Sequence, residues 1–372
     1  MTSLSPRSPE HHREGDDQIM SESLSEGRPT FTTRPPHFPR KIALEEAVST
    51  SVFNATRTTP PVPGTSDMEY SRPDYGSDVE RRLSDPGLQV ESMDAAGVAL
   101  AVVAVTAPGI EGIFDTREAI DAARRANDEI RARYTAGEHA SRFRAFGCVP
   151  MQDPAAAAEE AGRCVRELGC VGILINGYTN LGAADAVQYL DEPQCEPFWA
   201  RLEELDVPLY IHPRVPAPGQ KRIYQGYESL SGSPWGFTAE TSLHAVRLMM
   251  SGLFDRHPRQ RIILGHCGEG LPFLIARTDH RLRHYSKDKN HLAGQPLQAY
   301  LENNFRVTTA GIMSTRTLQD TLSIFGADKV MWSCDYPYES YQETGSWFDH
   351  LEIDDQTRAK IGWQNAEQLL RL

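Results

Sequence analysis

Short apolar runs recur along the chain, and each is rich in β-branched or aromatic residues and bounded by turn formers, which predicts β-strands. The eight runs lie at 41–46, 98–106, 143–151, 170–178, 207–213, 261–270, 304–311 and 329–337. Segments with helical periodicity lie at 115–134, 153–169, 196–206, 238–258 and 314–326. A (β/α)8 barrel needs about 250 residues plus insertions, so this alternation predicts that α/β fold rather than a doubly wound sheet.

Polar side chains lie at the ends of four of these runs: Glu45, His212, His266 and Asp335. In a (β/α)8 barrel the carboxyl ends of all strands meet at one mouth, so we expect the four side chains to converge there. Carboxylates and imidazoles bind divalent metals, and their convergence therefore predicts a metal site. Taken alone, His212 would be read as a strand-end residue and Asp335 as the start of a turn.

The composition fits one large enzyme domain in the cytoplasm. The 372-residue chain carries a formal net charge of −13, which argues against a surface that binds nucleic acid or an anionic membrane. A run of ~18 apolar residues is absent, so no transmembrane helix is expected. The six cysteines form no CxxC pair and are expected to be reduced thiols in or near the core.

The first 40 residues differ from the rest, because they are rich in proline, serine and charge and show almost no apolar periodicity. This predicts a disordered N-terminal extension at 1–40, followed by a single barrel domain at 41–372. The extension lacks the apolar stretch that a signal peptide needs, and its acidic residues are not expected in a mitochondrial presequence. Two polar segments, 48–87 and 213–238, are predicted to be long βα loops that lie over the mouth and shape a substrate pocket.

Several motifs carry a family resemblance, and they keep the family's order from about residue 41 to the C-terminus. They are LEEA (44–47), MDAAG (93–97), TAPGIEGIFD (106–115), ANDEI (126–130), VPMQDP (149–154), GILINGYTN (172–180), IHPR (211–214), GHCGEGLPF (265–273) and DYPYE (335–339). The chain resembles the metal-dependent ortho-hydroxybenzoate decarboxylases of the amidohydrolase superfamily, in the branch typified by aminocarboxymuconate semialdehyde decarboxylase. The match is strongest to the 2,3-dihydroxybenzoate decarboxylases and their salicylate and γ-resorcylate relatives. The resemblance implies an amidohydrolase-like barrel, a small aromatic carboxylic acid as substrate, and a homo-oligomer, either a dimer or a tetramer.

The resemblance implies a role for each residue that matches the family's motifs. Glu45, His212 and Asp335 match the metal ligands, and Asp335 is also the family's proton donor to the ring carbon. His266 matches a catalytic histidine, and Glu269 matches the glutamate that supports it. The alternative for His266 is a fourth metal ligand, and the alternative for Glu269 is a capping or dipole interaction with the following helix.

Two positions bear on the number and type of metal ions. Many members of the family carry a histidine two residues beyond the first ligand, where this chain has Ala47, as the 2,3-dihydroxybenzoate and salicylate members do. The remaining two carboxylates and one imidazole suit Mg²⁺ or Mn²⁺ at least as well as Zn²⁺. Two-metal hydrolases of the superfamily have a bridging lysine where this chain has Asn176, so one divalent ion per chain is expected.

Five side chains are candidates for substrate contact. Asn176 and Arg277 match positions that touch the substrate in γ-resorcylate decarboxylase-like relatives, and Arg277 could bind a carboxylate or phenolate with two hydrogen bonds. Trp235, Phe237 and Tyr338 could form aromatic walls around a planar ring. The alternatives are a surface or interface salt bridge for Arg277, and packing beneath a loop for the aromatic residues.

The expected activity is non-oxidative decarboxylation of an ortho-hydroxybenzoate, first of all 2,3-dihydroxybenzoate to catechol and CO2, with salicylate or γ-resorcylate next. This reaction needs a metal that fixes the carboxylate and the adjacent phenolate, and an acid that protonates the ring carbon. The alternative is a hydrolase of a lactone, ester or amide that uses the metal to activate water. A third possibility, a barrel that only binds a ligand, is disfavoured because the matched site positions other than Ala47 hold chemically competent residues.

Overall fold

The computed structural model describes residues 40–52, 64 and 66–372. The predicted N-terminal extension therefore lies outside the described residues, except for Arg40. Residues 53–63 and 65, in the first predicted βα loop, also lie outside them. None of the helices in the described ranges is long and apolar enough to cross a membrane.

Eight parallel strands form the barrel, in the order that the sequence predicts. They are β1 (Lys41–Val48), β2 (Val98–Val105), β3 (Phe143–Gly147), β4 (Gly172–Asn176), β5 (Leu209–His212), β6 (Ile262–Leu264), β7 (Phe305–Thr308) and β8 (Val330–Met331). Each strand pairs in parallel with the next one along the chain. The predicted (β/α)8 fold is therefore confirmed.

The two ends of this sheet, β8 and β1, meet through side-chain as well as backbone hydrogen bonds. The Ala47 N–H donates to the Tyr336 carbonyl at 2.7 Å. The Leu44 and Glu45 N–H groups both donate to Ser333 Oγ, at 2.9 and 2.8 Å. The segment after β8 is therefore fastened to β1, beside the first of the predicted metal ligands.

Ten helices of at least eight residues occur among the described residues. They are α1 (Pro73–Leu83), α2 (Pro86–Ala96), α3 (Thr116–Ile130), α4 (Pro154–Arg166), α5 (Glu196–Leu205), α6 (Gly236–Met250), α7 (Leu271–Leu282), α8 (Leu297–Asn304), α9 (Thr315–Phe325) and α10 (Tyr341–Asp349). The five predicted helices correspond to α3, α4, α5, α6 and α9. The other five helices were not predicted, and the segment 48–87, predicted to be a βα loop, contains α1 and the start of α2.

Strand alternation separates two apolar layers of the core. The side chains inside the barrel form one cluster, which includes Ile42, Leu44, Leu100, Val102, Tyr210, Ile263 and Met331. The opposite strand faces pack against the helices in a larger cluster. The C-terminal helical segment Asn365–Leu370 adds Ala366 and Leu370 to the inner cluster, and Asn365 Nδ2 donates to the Val330 carbonyl at 2.8 Å. This segment covers the amino ends of the strands, so the carboxyl ends form the open mouth.

Candidate metal centre and substrate pocket

The three predicted metal ligands lie together at the carboxyl ends of the strands. Glu45 is on β1, His212 is the last residue of β5, and Asp335 follows β8. Their ligand atoms all lie within 4.8 Å of one another. Nε2 of His212 is 3.6 Å from Oε1 of Glu45. This arrangement offers a cation two carboxylates and one imidazole.

The chemistry of these side chains fits a divalent cation. Glu45 is 3% exposed, and its Oε1 makes no hydrogen bond to the described residues. Burial raises the pKa of Glu45 to about 8; nearby His266 lowers this pKa and nearby Asp335 raises it further. A bound cation would stabilise the charged carboxylate and lower the pKa again. Burial lowers the pKa of His212 to about 4, so its imidazole is neutral, which is the form that binds a metal.

Neighbouring groups orient the Glu45 carboxylate. Its Oε2 accepts hydrogen bonds from the Tyr210 hydroxyl and from Thr308 Oγ1, the latter at 3.2 Å. Gly265 lies against the same group, since a Cβ at that position would be 2.5 Å from Oε2. One oxygen is thereby fixed while the other remains available, as expected for an oriented metal ligand.

His266 lies beside the three candidate ligands and is oriented by a buried carboxylate. Its Nδ1 is 2.7 Å from Glu269 Oε1, and Thr238 Oγ1 donates to the other oxygen of Glu269 at 2.9 Å. Its Nε2 is 3.6 Å from Asp335 Oδ2 and 3.9 Å from Glu45 Oε1. Burial alone would lower the pKa of His266, but the surrounding carboxylates outweigh burial and hold that pKa well above its ordinary value. These contacts support an orienting role for Glu269 rather than a helix cap.

Backbone strain is concentrated at the same residues. His266, Cys267 and Glu269 have φ values of 51°, 55° and 55°, and Asp335 has a φ of 79°. Such left-handed conformations cost a non-glycine residue about 1–3 kcal/mol each. The sequence analysis extended the sixth strand to residue 270, but β6 ends at Leu264 and His266 lies in a left-handed turn.

A cavity of about 400 Å³ opens beside this cluster, a size within the roughly 300–1,000 Å³ typical of small-molecule sites. His212, His266 and Asp335 are part of its lining. Both predicted mouth loops contribute to it, through Ser66, Met68, Tyr75, Arg214, Val215, Ser233, Pro234 and Phe237. A small molecule in this cavity would therefore contact His212, Asp335 and His266 together.

A family model described as "Amidohydrolase" matches residues 37–372. The chain belongs to the amidohydrolase family. A γ-resorcylate decarboxylase of Rhizobium sp. (strain MTP-10005) is 43% identical over 300 residues, which are 80% of this chain and 91% of that protein. The crystal structure of a 2,6-dihydroxybenzoate decarboxylase with bound 2,6-dihydroxybenzoate matches with a TM-score of 0.82 and 40% identity, over 90% of this chain and 100% of that chain. A dihydroxybenzoic acid decarboxylase from Polaromonas sp. JS666, with bound manganese and the inhibitor 2-nitroresorcinol, matches with a TM-score of 0.82 and 39% identity, over 90% of this chain and 97% of that chain.

These similarities establish the class of the enzyme. The chain is a decarboxylase, a carboxy-lyase of the amidohydrolase superfamily. The finer expectation from the sequence, a strongest match to 2,3-dihydroxybenzoate decarboxylases, is not supported, because these relatives are γ-resorcylate (2,6-dihydroxybenzoate) decarboxylases. The manganese in the Polaromonas protein agrees with the predicted divalent metal.

Two of the five predicted substrate contacts line the cavity of this amidohydrolase. Phe237, near the start of α6, and Tyr338, just after the Asp335 turn, both belong to its lining. The Tyr338 hydroxyl is 2.6 Å from Thr106 Oγ1, which fixes the orientation of its ring. Both aromatic rings are therefore placed where a planar substrate could contact them.

The other three predicted contacts lie outside the cavity lining. Trp235 is 67% exposed. Asn176, at the end of β4, is buried, and its Nδ2 donates to the Val105 carbonyl at 3.3 Å. Arg277 is exposed on α7. Within this one chain, the structure does not bring these three side chains to the pocket.

Sequence reasoning missed two charged residues in the lining, Arg214 and Glu339. Arg214 is 2% exposed and donates from Nη1 to the Tyr178 carbonyl at 2.7 Å. It lies two residues after His212, beyond the end of β5, where strand alternation no longer indicates the direction of a side chain. Burial, together with Asp335, raises the pKa of Glu339 to about 7. The cavity lining therefore includes the buried guanidinium of Arg214 and, in addition to Asp335, the carboxyl group of Glu339.

Proposed function

We propose that this decarboxylase removes CO2 from an ortho-hydroxybenzoate without oxidation, with 2,6-dihydroxybenzoate as the first candidate substrate. The observation that carries the proposal is the cluster of Glu45, His212 and Asp335, of which the last two line a cavity of about 400 Å³ together with His266. The similarity to 2,6-dihydroxybenzoate decarboxylases supports the choice of ring pattern. One divalent ion per chain, Mg²⁺, Mn²⁺ or Zn²⁺, is part of the proposal, and the Polaromonas relative favours Mn²⁺.

Glu45, His212 and Asp335 are the residues proposed to hold the ion. When bound, a divalent ion supplies a Lewis acid and a template that fixes the substrate carboxylate and the adjacent phenolate oxygen. Phe237 and Tyr338 line the same cavity and are proposed to contact the faces of the ring. The planar ring is thereby restrained close to Asp335.

Loss of CO2 requires a proton at the ring carbon, because an aryl carbanion is too high in energy. Asp335 is the proposed donor, as a loosely held ligand of the ion or by taking its proton from the substrate phenol, and its Oδ2 lies 3.6 Å from Nε2 of His266. The Glu269 carboxylate at Nδ1 favours the protonated form of His266, so His266 can return a proton to Asp335 after each turnover. The added proton replaces the carboxyl group, the electrons of the broken C–C bond restore the aromatic ring, and the carboxylate leaves as CO2.

Asn176, Arg277 and Trp235 remain proposed substrate contacts through the family resemblance alone. A homo-oligomer, a dimer or a tetramer, is likewise proposed from the family resemblance, and light scattering of the purified protein would test it.

Ala47 favours a second candidate substrate, 2,3-dihydroxybenzoate. It lies two residues beyond Glu45 on β1 and packs with Val79 and Leu83, in an apolar cluster that Tyr338 adjoins. An alanine at this position offers no nitrogen donor, as the resemblance to the 2,3-dihydroxybenzoate and salicylate members implies. The resemblance at Ala47 therefore keeps 2,3-dihydroxybenzoate as a second candidate, after 2,6-dihydroxybenzoate.

Release of CO2 from a panel of hydroxybenzoates tests the proposal. The Mn²⁺-loaded protein should act on 2,6-dihydroxybenzoate, 2,3-dihydroxybenzoate or salicylate, and the ratios of kcat/KM identify the preferred ring. The control, 3,5-dihydroxybenzoate, lacks an ortho hydroxyl and should not react. In D2O the product should carry one deuterium at the carbon that lost CO2. Cleavage of lactones or esters, with no CO2 from any ortho-hydroxybenzoate, would contradict the proposal.

A further inference from the structure

No step of the proposed reaction uses the buried carboxylate of Glu46, which is 1% exposed on β1. Its Oε1 accepts hydrogen bonds from Ser333 Oγ at 2.9 Å and from the Cys334 N–H at 3.2 Å. Its Oε2 accepts a hydrogen bond from the Tyr336 N–H at 3.0 Å. One carboxylate therefore binds the backbone amides on both sides of Asp335.

Asp335 lies where the backbone needs such support. Its φ of 79° is unfavourable for a residue with a side chain. β8 ends at Met331, so the Asp335 turn lies beyond the ladder of strand hydrogen bonds. The contacts from β1, namely the Ala47 N–H to the Tyr336 carbonyl and the Glu46 carboxylate, hold this turn in place.

Other side chains fix the position of Glu46 itself. The Tyr341 hydroxyl hydrogen bonds to the Glu46 carboxylate and accepts a hydrogen bond from Gln89 Nε2 at 3.2 Å. The Tyr341 ring stacks on Tyr336, with ring centroids 4.9 Å apart and planes inclined by 11°. These contacts hold the Glu46 carboxylate in one position, from which it accepts the hydrogen bonds of the Asp335 turn.

We propose that Glu46 is a positioning residue that fixes the Asp335 turn to β1 and so sets the separation of Glu45 and Asp335 on which metal binding depends. Glu45 and Glu46 are consecutive on β1, with Glu45 in the metal cluster and Glu46 on the Asp335 turn. A change at Glu46 therefore moves one candidate ligand relative to the other. Replacing a residue that orients metal ligands typically costs about 10- to 100-fold in metal affinity or activity.

Glu46→Gln tests this role with little change in size. The glutamine side chain offers one acceptor oxygen where the glutamate side chain offers two. One of the two backbone N–H groups beside Asp335, that of Cys334 or that of Tyr336, therefore loses its acceptor. Titration of the metal-free, full-length protein with Mn²⁺, followed by the electron paramagnetic resonance of free Mn²⁺, should show binding weakened by about 10- to 100-fold. Raising the Mn²⁺ concentration should restore metal occupancy in the variant, and Glu46→Asp should bind more weakly than the wild type because its shorter side chain cannot reach both amides.

Glu160→Gln is the matched control for a loss of stability alone. Glu160 is 4% exposed and accepts hydrogen bonds from Asn127 and Arg163, both at 2.7 Å, on the outer side of the barrel at α4. This variant should melt at a lower temperature and still bind Mn²⁺ as the wild type does. Unchanged Mn²⁺ affinity in Glu46→Gln, or an equal fall in Glu46→Gln and Glu160→Gln, would overturn the proposal. If Glu46→Gln does not fold, Glu46→Asp decides in its place, since wild-type affinity in that variant would also overturn it. The readout needs no substrate, so a wrong assignment of the hydroxybenzoate leaves it unaffected.

Discussion

Replacing His266 with alanine distinguishes a residue that handles a proton from a metal ligand. The ligand atoms of Glu45, His212 and Asp335 lie within 4.8 Å of one another. His266 is not a member of this group, although its Nε2 is 3.6 Å from Asp335 Oδ2 and 3.9 Å from Glu45 Oε1, and its Nδ1 contacts Glu269 Oε1 at 2.7 Å. We therefore expect His266→Ala to keep the metal and to lose turnover.

The size of the expected loss follows from the contacts of His266. General acid–base groups contribute about 100- to 10,000-fold to the rate, which corresponds to about 3–5 kcal/mol of transition-state stabilisation. The variant also removes the imidazole partner of Glu269, whose remaining side-chain donor is Thr238. A buried polar group that loses a partner costs about 1–3 kcal/mol of stability. We therefore expect kcat to fall by about 100- to 10,000-fold, with a smaller change in KM. The melting temperature should also be lower, because Glu269 has lost a partner.

The assay measures kcat, KM and metal content on the same samples at saturating Mn²⁺. His280→Ala is the control, because His280 is exposed on α7 and should behave as the wild type does. Loss of the metal from His266→Ala would identify His266 as a fourth ligand. Wild-type turnover with the metal retained would show that His266 carries no proton in the rate-determining sequence.

Three further predictions concern the metal, pH and the N-terminus. Replacing Glu45, His212 or Asp335 with alanine should strip the ion, because each supplies a donor atom; metal analysis that finds full occupancy in all three variants would refute the ligand assignment. Burial lowers the pKa of His244 to about 4, so between pH 6.5 and 4 the unfolded chain binds more protons than the folded one. As the pH is lowered from 6.5 to 4, this group should therefore reduce the free energy of unfolding of the metal-free protein by about 3 kcal/mol. Urea titrations of His244→Gln should show a smaller reduction over the same pH range. Deleting residues 1–38 should leave turnover and melting temperature almost unchanged, since their composition predicts no packed core; a large loss of either would mean that they support the barrel or the site.

The strands could be predicted because barrel strands are buried on both faces and so form continuous apolar runs. The missed helices have a different cause. Pro73 and Pro86 lie in the segment 48–87 that is predicted as a loop, yet they are the first residues of α1 and α2. Proline is favoured at that position because its missing N–H would have no partner there. Asp85 confirms the helix start, since its side chain accepts hydrogen bonds from the backbone N–H groups of Gly87 and Leu88.

The identity of the site residues could also be predicted, because each of them lies near the end of a predicted apolar run, but their contacts could not. Alternation along β1 predicts that Glu46 faces away from Glu45, and it does. The sequence does not show that the far side of β1 meets the turn at Asp335, because that contact joins residues separated by 290 positions, as in the hydrogen bond from the Tyr336 N–H to Glu46. Arg214 was missed for a related reason, since a polar residue after a strand usually belongs to a turn.

His266 and Asp335 adopt left-handed backbone conformations that glycine would favour. The need for their side chains, rather than backbone preference, therefore explains the residue types at these positions. Glycine would adopt the φ of His266 or Asp335 without strain. It would, however, remove the imidazole that contacts Glu269 and the carboxylate that lies in the metal cluster. The strain must then be offset by neighbouring contacts, and the buried carboxylates of Glu269 and Glu46 bind the two segments concerned. The supporting glutamates are therefore as much a part of the site as the residues that face the cavity.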